Sequence, residues 1–265
     1  MNAPSPFDAL APTYDEDFSA SPIAAHLRGQ VQEHLLAAFP PGSHLLELGC
    51  GTGDDALCLA ERGIRVTATD SSAAMLAAAG AKTAGQPLIR VAPLDLNRLA
   101  DDDLPETFDG AFSNFGPINC VTDRVRLARW LAQRVRPGGR VLLVVMAPCC
   151  LWEIGWHALH ADFSTAFRRL TGAAQFKLSD FDAPITVSYP SPARLERAFF
   201  PHFLLESSRP LGLFLPPTGV YAAIERRPLL LRLLKGLDAR TARFARLSIF
   251  SDHYIIVLYR NMLFS

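Results

Sequence analysis

Three glycines alternate with other residues in Gly49-Cys50-Gly51-Thr52-Gly53, between the apolar run 44–48 and a stretch, 54–62, whose apolar residues recur at helical spacing. Alternating glycines where a strand turns into a helix let backbone approach a ligand without interference from Cβ atoms. Asp70 ends the next strand-like run, 17 residues after Gly53, where a carboxylate can accept two hydrogen bonds from a ribose diol. A dinucleotide site would favour Gly-x-Gly-x-x-Gly, with a pyrophosphate on the helix N-terminus. Here the spacing is Gly-x-Gly-x-Gly and the acidic residues Glu47, Asp54 and Asp55 flank it, which suits a cationic ligand better than a diphosphate.

These residues need a frame that brings strand ends to one edge. Strand-like runs at 44–48, 64–69, 88–92, 108–113 and 140–146 alternate with helix-like runs at 54–62, 72–80 and 123–135. Such alternation implies a parallel sheet covered on both faces. Beyond Met146 the pattern loosens into two candidate insertions: 147–184, with a helix expected around 156–170, and 213–250, with a helix expected over 229–247. Between them Ser191-Pro192 reads as an N-cap with proline in the first turn, starting a helix through Phe199. Strand-like runs at 203–207 and 253–259 complete the sheet, and no internal repeat or low-complexity tract is visible.

Leu46-Glu47-Leu48-Gly49-Cys50-Gly51-Thr52-Gly53, Ala68-Thr69-Asp70, Leu94-Asp95-Leu96 and Arg136-Pro137-Gly138-Gly139 together resemble the class I S-adenosylmethionine-dependent methyltransferase family over residues 45–146. The resemblance implies an α/β fold: a Rossmann-like seven-stranded sheet of order 3-2-1-4-5-7-6, last strand antiparallel, with helical insertions after strand 5 and between strands 6 and 7. It implies S-adenosylmethionine as cofactor and S-adenosylhomocysteine as product. Carried over by residue, Glu47 and the Gly49 carbonyl face the methionine ammonium, Asp70 the ribose, and Asp95 the adenine amino group beside the Leu96 amide. Met75 packs on the adenosine, and Gly51, Gly53 and Ser71 complete the turn and the second strand end. Ala11-Pro12-Thr13-Tyr14-Asp15 is similar to the opening of ubiquinone-type small-molecule members, in which the tyrosine closes over the cofactor; a surface turn with Tyr14 packed on the sheet is the other reading.

The run Ser113-Asn114-Phe115-Gly116-Pro117-Ile118-Asn119-Cys120 follows the fourth strand, at the sheet edge where open α/β folds bind ligands. It lacks the paired prolines and final aromatic of family members that methylate base or glutamine amino groups, which lowers DNA, rRNA and release-factor substrates. Asn114 is a candidate contact to the cofactor, and Phe115 and Asn119 to the substrate, unless the asparagines only cap the loop. Cys120 reads as a buried filler. An antiparallel last strand starting at Ser251-Asp252-His253 puts His253 at the same edge, as the candidate general base or substrate contact, with Asp252 able to influence its charge. Trp156, His157 and His160 on the first insertion could line an aromatic pocket, or belong to a packed amphipathic helix. No cluster has metal-ligand spacing.

The chain of 265 residues is 49% apolar and 20% charged, which excludes disorder and coiled coil as the main architecture. Its 26 basic and 26 acidic residues cancel, against a chain-wide nucleic-acid footprint, but unevenly: residues 1–122 hold 16 acidic and 6 basic, residues 123–265 hold 10 and 20. Five cysteines without Cys-x-x-Cys spacing read as reduced thiols. The first 25 residues carry Asp8, Asp15, Glu16 and Asp17 and no basic stretch before an apolar one, so the expected address is cytoplasmic, without a signal peptide. The basic amphipathic segment 226–246 reads first as a helix packed on the sheet or on a partner subunit, with an anionic membrane surface or RNA as alternatives. The organisation expected is an N-terminal helical lid at 1–42, a cofactor-binding core at 43–146, a substrate cap at 147–190 and the rest of the sheet, with its basic insertion (213–250), at 191–265. The function expected is methyl transfer to O, N or C of a small, partly apolar molecule by a monomer or homodimer that does not bind DNA. An RNA or protein methyltransferase and a non-catalytic cofactor-binding scaffold are the rival readings.

Overall fold

The computed structural model describes residues 5–15, 21–176 and 184–263. Helix α1 (Pro22–Ala38) begins at Ser21, whose hydroxyl accepts from the amides of Ile23 and Ala24, with Pro22 in the first turn where no N–H is needed. Ile23, Leu27, Val31 and Leu35 recur every four residues, and that face is buried. There follow β1 (His44–Leu48), α2 (Asp54–Ala60), β2 (Arg65–Asp70), α3 (Ala73–Lys82), β3 (Ile89–Pro93), β4 (Phe108–Ser113), α4 (Arg124–Ala132) and β5 (Val135–Met146). Ser72 caps α3 by accepting from the Met75 amide, and Asp123 caps α4 by accepting from that of Arg126. The first insertion holds α5 (Leu151–Leu159), α6 (Phe163–Phe167), β6 (Ala173–Phe176) and β7 (Ile185–Ser188). The chain returns through α7 (Pro192–Phe199), capped by Ser191, to β8 (Phe203–Leu211), then α8 (Tyr221–Glu225), α9 (Pro228–Thr241) and β9 (His253–Arg260).

The seven-stranded sheet runs β3-β2-β1-β4-β5-β9-β8, with β9 antiparallel to both its neighbours. Because β6 and β7 pair only with each other, β8 and β9 are the sixth and seventh strands of the main sheet, and the expected order 3-2-1-4-5-7-6 holds. Along β5, alternate residues are buried on opposite faces. Val141, Leu143 and Val145 join a core with Leu127 and Leu131 of α4 and Leu195 and Phe199 of α7, while Leu142 and Val144 join one with α1, α2 and the second insertion. A strand covered on both sides explains the continuous apolar run there. At the β5–β9 junction Met146 lies opposite His253, so the start of β9 shares an edge with the ends of the parallel strands.

The insertions depart from the sequence reading. The helix expected over 156–170 is two helices and a 3₁₀ turn (Arg168–Thr171), because Ala161 takes a left-handed φ of 59° and Asp162 then caps α6 by accepting from the Thr165 amide. The hairpin β6–β7 was not expected; its connection, 177–183, lies outside the described residues, as do parts of the expected lid and cap. The helix expected over 229–247 stops at Thr241, and a 3₁₀ turn (Ala245–Ile249) follows. β5 starts earlier and β8 ends later than expected. Among the described residues no helix is long and apolar enough to cross a membrane.

Candidate functional site

A cavity of about 470 Å³ opens at the carboxyl edge of the sheet. One end is the glycine turn after β1. Gly49, Gly51 and Gly53 have φ of 77°, 52° and 87°, a region that side chains with a Cβ enter only at a cost. A Cβ on Gly49 would lie 2.4 Å from Pro117, so the wall leaves no room for one, whereas a Cβ on Gly51 would only touch the ring of Tyr14 at 3.6 Å. Asp70 closes this end: its Oδ2 accepts from the Gly51 amide at 3.0 Å and its Oδ1 from the Ser72 amide at 2.9 Å. Burial lifts its carboxyl above the ordinary value in spite of these amides. Met75, Leu94, Asp95 and Leu96 continue the wall, with the Asp95 carboxylate accepting from the Asn97 amide.

Residues 5–15 lie over this end. Asp8 accepts from the Ser72 hydroxyl at 2.5 Å, and Asp15 accepts from Thr52 and from Lys82, both at 2.6 Å. Tyr14 stands against Gly51, its phenol pushed up to about 12 by burial. Arg28, on α1, lines the cavity and pairs with Asp54 at 2.6 Å. Burial disfavours its charge, but Asp55 and Asp54 outweigh that and raise its pKa. Asn114 donates to Asp55 at 2.9 Å, and its buried Oδ1, like the buried Oε2 of Glu47, has no hydrogen-bond partner among the described residues.

The other end is assembled from distant segments and is largely apolar: Phe115, Cys120, Val121 and Met146 meet Phe176, Ile185, Val187 and Tyr189 of the cap, and Thr218 and Tyr221 of the second insertion. Phe115 is held at φ 51°, a strained setting for an aromatic residue, and its ring meets that of His253 edge-on at 5.4 Å. His253 Nδ1 lies 3.0 Å from Asp252 Oδ2, which leaves Nε2 on the side of the ring turned away from Asp252. Arg169 donates to Asp252 Oδ1 at 2.7 Å and to Glu153 at 2.9 Å, and Arg168 binds Glu153 through two 2.8 Å bonds. Burial opposes the charge of Asp252, but His253 and Arg169 hold its carboxyl well below the usual range.

The cavity thus gathers Tyr14, Gly49, Gly51, Asp70, Ser71, Met75, Asp95, Leu96, Asn114, Phe115 and His253 of the expected site residues. Others must be reassigned. Glu47 lies outside the cavity lining; burial, and then Asp55, push its carboxyl well above the ordinary value. Gly53 stands behind the turn, where its Cβ would meet Ala79 at 3.2 Å. Asn119 is fully buried and committed to backbone, donating to Ser188 O at 2.7 Å and accepting from the Met146 amide at 2.9 Å, so it braces the cap against the sheet. Trp156, His157 and His160 do not line the cavity: Trp156 stacks on His160 at 4.6 Å, and His157 lies 3.3 Å from Asp162, at the turn that broke the expected helix.

Sequence reasoning missed Arg28 and the Asp252–Arg169–Glu153 chain. Arg28 occupies an ordinary helix position, and the chain joins residues 83 and 16 apart. Among the described residues no group of three His, Cys, Asp or Glu could hold a metal ion. An S-adenosylmethionine molecule fits the donors and acceptors present: carboxylate oxygens at Asp70 for a diol, a guanidinium at Arg28 for a carboxylate, and an unpartnered Asn114 oxygen for an ammonium.

Residues 45–139 match the family described as a methyltransferase domain. The chain is similar to a demethylmenaquinone methyltransferase of Clavibacter sepedonicus, 29% identical over 52% of this chain and 55% of the relative. It is similar to a trans-aconitate 2-methyltransferase of Deinococcus radiodurans, 37% identical over 57% and 56%. The chain thus spans about half the length of these curated relatives. The crystal structure of an S-adenosylmethionine-dependent methyltransferase from Mesorhizobium loti shares the fold, with TM-score 0.60 and 22% identity over 88% of this chain and 100% of that one.

Proposed function

Because residues 45–139 form a methyltransferase domain on the class I S-adenosylmethionine-dependent fold, we propose that the chain moves a methyl group from S-adenosylmethionine to a small, partly apolar molecule. The observation that carries this reading is the continuity of the cavity from the Asp70 end to the apolar end beside His253. The bound cofactor supplies an electrophilic methyl on a sulfonium, and transfer is an in-line displacement that depends on alignment of the two reactants. In this reading Asp70 accepts from the ribose, Met75 and Leu96 flank the adenine, and Arg28 and Asn114 hold the amino-acid end. Tyr14 and Asp15 shield that end from water.

His253 sets the acceptor type. Its Nδ1 is oriented by Asp252, and a neutral imidazole held in this way takes a proton at Nε2. A hydroxyl acceptor, which must lose a proton, uses that base. An acceptor already carrying a lone pair needs only the alignment. The relatives' names, demethylmenaquinone and trans-aconitate methyltransferase, support a small acceptor over RNA or protein. The test is cofactor-loaded protein incubated with extract of its own cells, with mass spectrometry following the gain of one methyl group. A small molecule that gains it supports the reading, and methylation confined to RNA or protein, or absent altogether, overturns it.

A further inference from the structure

Among the described residues, nine of the fourteen exposed large apolar side chains sit on the two insertions: Leu151, Leu159, Phe163, Phe167 and Leu170 on the first, Leu229, Leu233, Phe244 and Ile249 on the second. The insertions join at their bases, where the Cys149 amide donates to Ile249 O and the Leu151 amide to Phe250 O. On α9, Leu229, Arg232, Leu233, Gly236 and Arg240 fall on one face by helical spacing, and Leu229 is 82% and Leu233 57% exposed. Exposed arginines 226, 227, 243 and 246 precede and follow α9 in the chain. Residues 226–246 contain seven basic residues and one acid, Asp238, which is buried and accepts from the Leu213 and Phe214 amides. The outward charge of the segment is therefore entirely positive.

We propose that this basic, leucine-bearing face of the second insertion rests on an anionic lipid surface. Exposed leucines on a helix face shared with Arg232 and Arg240 match the interface of a charged bilayer, where apolar side chains enter the acyl boundary and guanidinium groups meet phosphate. A second copy of the chain fits poorly, since a twofold contact through this face would set the arginines of one copy against those of the other. RNA also fits poorly, because Leu229 and Leu233 offer no stacking surface and would meet phosphates. The same insertion walls the cavity: Thr218 and Tyr221 line its apolar end, and Tyr221 precedes Arg226 by one short helix. The lipid-facing helix and part of the cavity's apolar end thus belong to one insertion. The proposal goes beyond methyl transfer and does not depend on it.

The test is flotation of the full chain with vesicles of phosphatidylcholine alone and of phosphatidylcholine mixed with phosphatidylglycerol, at low and high salt. The expected result is binding to the mixed vesicles at low salt, release as salt shortens the screening length, and little binding to the neutral ones. Leu229→Ser with Leu233→Ser, and separately Arg232→Glu with Arg240→Glu, should each lower partitioning by more than about tenfold. Both pairs are surface positions, and unchanged S-adenosylhomocysteine binding and circular dichroism would show that the fold and the cofactor site survive. Absence of binding to mixed vesicles at low salt overturns the proposal, as does unchanged partitioning of both variants. A dimer that either variant splits, or RNA retention without vesicle binding, assigns the face elsewhere and also overturns it.

Discussion

The two ends of the cavity are built on different plans. At the cofactor end Gly49, Gly51, Asp70, Asp95 and Leu96 lie at the ends of adjacent strands, joined by Tyr14, Arg28 and Asn114, and the amides of Gly51 and Ser72 fix Asp70 directly. At the acceptor end the wall comes from separate segments, and its imidazole, His253, is fixed through the neighbouring Asp252 and then Arg169 and Glu153 of the first insertion. Backbone positioning survives sequence change around it, whereas a chain of buried side chains is lost if any link goes. Binding should therefore respond to one residue at the first end, and chemistry to several at the second.

The largest effect that would sharpen this contrast is at His253. His253→Ala is expected to lower turnover on a hydroxyl acceptor about 10²–10⁴-fold while S-adenosylhomocysteine affinity stays near that of the parent. Undiminished turnover would remove the base, and a matching loss of affinity would erase the division between the ends. Asp70→Ala should do the opposite, weakening product binding by roughly 1.5–3 kcal/mol per charge-assisted bond lost, or about tenfold to a hundredfold for each. Titration calorimetry decides it, and unchanged affinity would displace Asp70 from the cofactor.

A smaller change probes the links. With Arg169→Gln the Asp252 carboxylate loses a buried charge partner and orients His253 less firmly, so turnover on a hydroxyl acceptor is expected to fall, by less than His253→Ala causes, while S-adenosylhomocysteine affinity stays near that of the parent. Arg169→Lys should bring turnover part of the way back. Turnover that stays at the parent's level while the melting temperature falls would make Arg169 a fold residue only. The smallest effect concerns Glu47, whose folded pKa is raised by burial and by Asp55. Its contribution to stability is fully present below the unfolded carboxylate value and is lost as pH rises through the folded one. Glu47→Gln should flatten that decline in a series of melts. An equal slope in both proteins would show that Glu47 is ionised in the folded state.

The same contrast explains what could be read from residues alone. Gly49 to Gly53, Asp70 and Asp95 are legible because turn chemistry and strand ends are local, and the register that puts His253 opposite Met146 follows from the reversed last strand. The cap was not legible. Ala161 turns left-handed with no glycine to announce it, and the partners of Arg169 lie 16 and 83 residues away, beyond any periodicity. Asn119 looked like a ligand contact because its loop is at the right edge. Its amide is consumed by the Met146 carbonyl at the end of β5 and by the Ser188 carbonyl that only the folded cap supplies.

Residues 5–15 reach the cofactor end through the side chains of Asp8 and Asp15, and the Asp15–Lys82 pair is 45% and 25% exposed. Ion pairs so open to water are each worth at most about 1 kcal/mol and are screened by salt. The polar part of this segment's attachment is therefore weak and sensitive to salt. On the proposal that this segment is a lid over the cofactor, its opening sets how fast spent cofactor is exchanged for fresh, so higher ionic strength should shorten the residence time of the product while the wall beneath, held by backbone amides, keeps its shape.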